Sequence, residues 1–321
     1  MSQFLSETLD QLDLALDQLA LNDRNYDRFA MMLVDNAVEL TLHNEAEKHK
    51  ISGIGFNVAH EPTETQKLAG KALGHNFDEK VKFAWYSGLV SSEIAESVLY
   101  LHQFRNTAYH KGQRHNGILH SLTLFYLENA CEILQKYQPS FWIIDSGESL
   151  THRARKYMGE INSFDYTQYY SEAWKRLSYV AKSISSDFVG DLTVSMEQMI
   201  ESANKQLIFL VENSPNKLDR SKAVVSAQEH AKFRMEKMFI SGETYTSLKG
   251  GLGKAPFIKS DPIPGWRKRL QSLQKESDKH LALKKYSDFV RQTEYLRCSI
   301  EDFAGELDVY IEHQIDLARG K

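Results

Sequence analysis

The chain has 321 residues, 42% of them hydrophobic, with a formal net charge of −4 and a pI near 6.3. It can bury most of its apolar surface, its length suggests about two domains, and it is not a polycation that coats nucleic acid unspecifically, so an anionic partner must be met by a local patch. Its two cysteines, Cys131 and Cys298, are far apart and lack metal-ligand spacing, which excludes a disulfide framework or zinc site as a first reading and points to a reducing cytoplasm.

The opening stretch "MSQFLSETLDQLDLALDQLA" is acidic and has neither a basic start nor an apolar core. No later apolar run approaches the roughly 20 residues needed to span a bilayer, so the expectation is a protein neither secreted nor membrane-spanning. Only six prolines occur, at 62, 139, 215, 256, 262 and 264. Between them apolar residues recur every three or four positions, which predicts an all-α protein.

In chain order, helices are expected over Phe4 to Leu21 and Tyr26 to Lys50. The second should present Phe29, Leu33, Asn36, Ala37, Leu40 and His43 on one face, with acids largely on the other. Ile51 to Gly74 reads as loop with a short helix inside it. Asp78 to Tyr86 follows, then Ser91 to about Phe104, entered through a serine cap at Ser91 or Ser92. Asn116 to Tyr137 reads as a longer helix that Pro139 stops, and "SFWIIDSG" as a buried linker.

Further helices are expected near Phe164 to Ile184, Asp187 to Val211, Asp219 to Ile240 and Asp278 to Leu317. In the second of these, Leu192, Met196, Met199, Ala203, Leu207 and Leu210 form the apolar stripe. The organisation implied is a helical bundle over residues 1–140 and a second helical region over 141–321, with a break near 213–218. Residues 249–297 are a basic segment, holding twelve Lys/Arg against five Asp/Glu, whereas residues 1–50 hold four against ten. In the basic segment Arg267, Lys268 and Arg269 could contact RNA, with Trp266 beside them for stacking.

The stretch "FRNTAYHKGQRHN", Phe104 to Asn116, gathers Arg105, Asn106, His110, Lys111, Arg114 and His115 after an apolar helical pattern. Arg105 and His110 fit Arg-x4-His; Arg114 and His120 fit the looser Arg-x5-His, but His120 lies inside the next apolar helix and reads as a satisfied helix histidine. "HNEAEKH" is not a zinc-protease motif, and "GGLGKAP" lacks the pattern of a phosphate-binding loop.

"RNTAYHKG", with the preceding helix "RFAMMLVDNAVELTLHN", resembles the HEPN (higher eukaryotes and prokaryotes nucleotide-binding) domains over about residues 22–138. Many of these carry an Arg, a polar residue that is commonly Asn, three to five further residues and a His near the junction of the later helices of an antiparallel bundle. The resemblance implies a metal-independent endoribonuclease without cofactor, acting as a toxin or antiviral effector. It also implies an RNA substrate and a homodimer that brings two motifs into one composite site, with an antitoxin or regulatory protein as a further partner. The tyrosine that some members carry two residues after the His is here Gly112, so regulation by its modification is not expected.

The side chains suit that chemistry. RNA carries its own nucleophile, the 2′-hydroxyl, so a proton carrier near neutrality and a cation facing the phosphorus oxygens suffice. His110 would be the first and Arg105, with its planar fork of donors, the second. Asn106 would position phosphate or imidazole, Tyr109 would stack on a base, and Lys111, Arg114 and His115 would bind flanking phosphates. One histidine cannot be acid and base on opposite sides of an in-line displacement, so a two-fold partner would supply the second. The products expected are a 2′,3′-cyclic phosphate and a 5′-hydroxyl. A non-catalytic HEPN module that binds nucleic acid or protein is the alternative.

Overall fold

The structure is a computed structural model that describes residues 2–51, 62–111, 117–139, 150–159, 166–215, 217–241 and 257–320; the side chains of 2, 108–111 and 235–241 lie outside the description. The described residues form twelve helices and no strand, so the fold is all-α. The linker expected at "SFWIIDSG" lies outside the described residues. The chain divides into two compact units, Met1–Asp191 and Leu192–Lys321.

The first unit begins with a helical hairpin, α1 (Ser2–Ala20) and α2 (Arg24–Ile51). The turn between them places Asn22 at φ 48°, a left-handed conformation that asparagine tolerates better than most residues. Helix α1 buries Leu5, Leu9, Leu12, Ala15, Leu16 and Leu19. Helix α2 is the hub and packs against α1, α3 (Glu64–Ala72), α4 (Phe77–Tyr86), α5 (Ser92–Lys111) and α6 (Leu119–Lys136). Its buried face is Ala30, Met31, Val34, Ala37, Val38, Leu42 and Ala46, interrupted by the acids Asp27, Asp35 and Glu45.

That face is not the one expected from the sequence. Phe29 is 56% exposed and Leu40 42% exposed, while Ala30, Ala37 and Ala46 are fully buried. Small residues let five helices approach one axis closely, and that closeness selects the alanine face over the face carrying the larger side chains. The acids inside are compensated by partners that only the tertiary structure supplies.

Local signals set the helix ends. Thr63 and Gln66 close a capping box on α3, and Asn76 accepts from the Asp78 amide at 2.9 Å to start α4. The buried Lys80 of α4 donates to the Ala72 carbonyl at 3.2 Å and to that of Gly74, so a cation sits on the electronegative end of α3.

Two later helices complete this unit, α7 (His152–Met158) and α8 (Tyr166–Ser183). The sequence places a domain boundary near residue 140; the compact units meet at 191/192, because α7 packs on α1 and α8 on α6. The short α7, which periodicity does not reveal, is fixed by charge. Thr151 caps it and donates to Asp10, Arg153 bridges Asp13 and Asp17 at 2.6 Å each, and Lys156 meets Asp13 at 2.9 Å. The Tyr157 hydroxyl also donates to Asp13. Acids of the N-terminal stretch are therefore bound inside the unit rather than displayed as a bare acidic face.

The second unit takes α9 (Phe188–Asn213) from Leu192 onward, α10 (Arg220–Ser241), α11 (Ile263–Gln274) and α12 (Lys279–Ala318). The expected stripe on α9 is buried at Leu192, Met196, Ala203, Leu207 and Leu210, with Ile200 in place of the half-buried Met199. Ser195 and Tyr286 hydroxyls lie 2.8 Å apart and tie α9 to α12, and Arg220 holds Asp261 at 2.6 Å and Asn204 at 2.8 Å. Asp278 caps α12 by accepting from the Leu281 amide at 2.8 Å. The glycine- and proline-bearing "IPGW" opens α11 instead of continuing the loop, because proline is tolerated in a helix's first turn.

Burial opposes ionisation of Asp13, but hydrogen bonds from Tyr157, Lys156 and Arg153 outweigh it and hold the carboxyl below its ordinary range. A depressed folded value contributes stability that is present above the unfolded value and is lost as pH falls through the folded one. Asp13→Asn should lower stability at pH 7 by about 2 kcal/mol, a modest figure because Arg153 and Lys156 are partly solvated. It should also flatten the acid side of the melting-temperature profile below about pH 4, measured by circular dichroism.

Candidate functional site

Between Ser92 and Gly112 the sequence holds neither proline nor glycine, so nothing ends α5 near Phe104. The helix starts at the expected serine, with Ser91 Oγ accepting from the Ile94 amide at 3.3 Å, and runs on to Lys111. Arg105 and Asn106 therefore lie within a helix, not at its wet end. Leu101 and Phe104 point into the core, and the next face around the helix carries His102, Arg105 and Asn106.

That face meets Asp35 of α2, whose side chain is wholly inaccessible to solvent. His102 Nδ1 lies 2.8 Å from Asp35 Oδ1, and the Tyr126 hydroxyl of α6 donates to the same oxygen at 2.9 Å. Arg105 Nε approaches Asp35 Oδ2 to 2.9 Å, a charge contact without the alignment of a good hydrogen bond. Arg105 Nη1 donates to Asn106 Oδ1 at 2.8 Å. The His102 ring is stacked on Phe77 of α4, with centroids 3.8 Å apart and planes 7° from parallel. Burial, and then the charge of Asp35, push the Tyr126 phenol well above its ordinary range, so it remains a donor.

Two further buried acids of α2 also hold histidines. Asp27 takes His120 Nδ1 of α6 at 2.8 Å, and Glu45 takes His49 at 2.9 Å together with Lys48 at 2.6 Å. His120 is thus the satisfied helix histidine its setting suggests.

The structure brings Arg105 and Asn106 together, one turn from His102. The side chains of Tyr109, His110 and Lys111, and all of Arg114 and His115, lie outside the described residues. Arg267, Lys268 and Arg269 occupy consecutive positions on α11, in the second unit, and so fan across about 200° of the helix instead of forming one row. Arg267 pairs with Glu201 at 2.8 Å. Arg269 donates to Gln292 at 3.0 Å and lies over the Phe289 ring, and burial lowers its basicity. Lys268 is exposed. Trp266, read as a stacking platform, is buried edge-on against Phe289 with ring centroids 5.8 Å apart, because α11 turns it toward α12. Elsewhere in the segment, Lys285 meets Glu276 at 2.8 Å and Arg291 meets Asp288 at 2.7 Å, so part of the basic charge is neutralised locally.

Asp35, His102 and Tyr126 are the members that sequence reasoning missed. The accessible signal was the eight-residue spacing of Asp27 and Asp35, which keeps both on one side of α2, together with a histidine three positions before Arg105. Among the described residues no group of three or more His, Cys, Asp or Glu is placed to hold a metal ion, and no helix is long and apolar enough to cross a membrane. Comparisons with protein-family models, with curated proteins and with solved structures find no match to this chain.

Removing Arg105 leaves the Asp35 carboxylate buried with one cation fewer. Arg105→Ala should destabilise the protein by about 3 kcal/mol in urea unfolding, at the lower end of the cost of breaking a buried pair because Arg105 is 29% exposed. Asn106→Ala should cost about 1 kcal/mol or less.

Proposed function

We propose that this chain is a metal-independent endoribonuclease of the HEPN type, cleaving RNA by attack of the 2′-hydroxyl on the adjacent phosphorus. The observation that carries this reading is "RNTAYH" on the last turns of α5, with Arg105 and Asn106 in direct contact and Arg105 backed by a buried carboxylate. A guanidinium oriented from behind by Asp35 and Asn106 still has N–H groups for a phosphate, and its planar fork favours the charge that gathers on the phosphorus oxygens. His110 transfers the proton at one of the two reacting oxygens.

The biological role that fits is a toxin or antiviral effector in the cytoplasm. RNA is the substrate, a second copy of the chain is one partner, and an antitoxin or regulatory protein is another. The exposed Arg267 and Lys268 would add backbone contacts to RNA. Replacing both by alanine should reduce the slope of log affinity against log salt by roughly one to one and a half, since each phosphate contact on a single strand contributes about 0.7; an unchanged slope would assign them to folding alone.

One observation favours a second reading, a non-catalytic HEPN module that binds nucleic acid or protein. Arg105 is committed to Asp35 and Asn106, as an arginine with a purely architectural role would be.

The two readings part on a direct assay. Purified protein incubated with total RNA in EDTA should yield 2′,3′-cyclic phosphate and 5′-hydroxyl ends. His110→Ala should reduce the rate by about 10²- to 10⁴-fold, and Arg105→Lys should also be damaging because an ammonium cannot reproduce the fork. RNA bound but left intact would favour the binding module.

A further inference from the structure

We infer that His102 is a second proton carrier of the ribonuclease site, the general base that takes the 2′-hydroxyl proton. The inference rests on the ribonuclease reading above and removes the need for a histidine from a second copy. A single histidine cannot serve both ends of an in-line displacement, and α5 supplies another on the Arg105 side of the motif. Three residues on a helix lie about 60° and 4.5 Å apart, so His102 and Arg105 share one face, and both reach the same Asp35 carboxylate.

The carboxylate decides the tautomer. Asp35 Oδ1 is an acceptor 2.8 Å from His102 Nδ1, so that nitrogen carries the proton and donates it, and the neutral ring presents the lone pair of Nε2. Tyr126 donates to the same oxygen and keeps the carboxylate in place, while the Phe77 ring stacked on one face of the imidazole fixes its plane. The His102 side chain is 15% exposed, so its outer edge reaches solvent beside Arg105. A buried carboxylate orienting a histidine by Nδ1 while Nε2 faces the reacting group is the logic by which such pairs activate hydroxyl nucleophiles.

In the step itself, Nε2 accepts the 2′-hydroxyl proton as the O2′–P bond forms. Arg105 faces the non-bridging oxygens, and the P–O5′ bond breaks as O5′ takes a proton from the acid, which the sequence motif assigns to His110. Phosphorus keeps its oxidation state, and water returns the two histidines to their starting forms.

His102→Asn tests this in the full-length protein, because the asparagine amide can still donate to Asp35 while Nε2 is lost. The substrates are a short RNA and uridine 3′-(4-nitrophenyl phosphate), whose leaving group needs no proton. The variant should melt near the parental temperature and lose about 10²- to 10⁴-fold in rate on both substrates. A folded variant that cleaves either substrate at the parental rate overturns the assignment of His102 as base while leaving the ribonuclease reading intact. A parent that cleaves no RNA removes the ribonuclease reading and this inference with it. If His102→Asn does not fold, carbethoxylation of the parental protein replaces it. Protection of His102 by a non-cleavable 2′-deoxy oligonucleotide supports the inference, and undiminished modification overturns it.

Discussion

A carboxylate shut away from water is tolerated only where other groups take over the work of its hydration shell. Asp35 is the point at which this fold meets that demand most severely. Its two oxygens are met from three sides, by His102 and Arg105 of α5 and by the Tyr126 hydroxyl of α6. The registers of α5 and α6 against α2 are thereby tied to one charge. A slide of either helix by a single turn would leave a buried oxygen without its donor, so the polar cluster specifies the packing that the apolar residues merely permit.

The same logic recurs along α2. Asp27 with His120 and Glu45 with His49 and Lys48 repeat the arrangement at either end. Three buried acids on a helix of 28 residues make it a polar spine inside an apolar bundle. The alanines beside them let neighbouring helices come near enough to supply the compensating groups. Small residues and buried charge are in this sense one design: the first provides the proximity without which the second would be ruinous.

The all-α class and most helix boundaries were legible in the sequence, because proline and glycine are scarce and capping residues are plain. Asp278 opens the last helix where the pattern predicts, and the apolar stripe on α9 is nearly the one that periodicity selects. The inward face of α2 was not legible. Apolar periodicity weighs Phe29 and Leu40 above Ala30 and Ala37, whereas packing among five helices weighs close approach above side-chain size. Arg105 was found through its local spacing, but the partner that holds it stands 70 residues earlier, and no local pattern encodes such a pairing. The short α7 escaped for the same reason, its anchoring aspartates lying about 140 residues upstream.

The continuity of α5 as far as Lys111 makes the interval between Arg105 and His110 a matter of helical pitch rather than of loop length. Five residues of α-helix separate the two Cα positions by a rise of about 7.5 Å and a rotation of about 140°. Inside such a rod the interval behaves as a fixed gear: one inserted residue would swing everything beyond it by about 100°. A loop would absorb that insertion and a helix cannot, so the phase between the arginine anchored on Asp35 and whatever follows it is locked into the backbone itself.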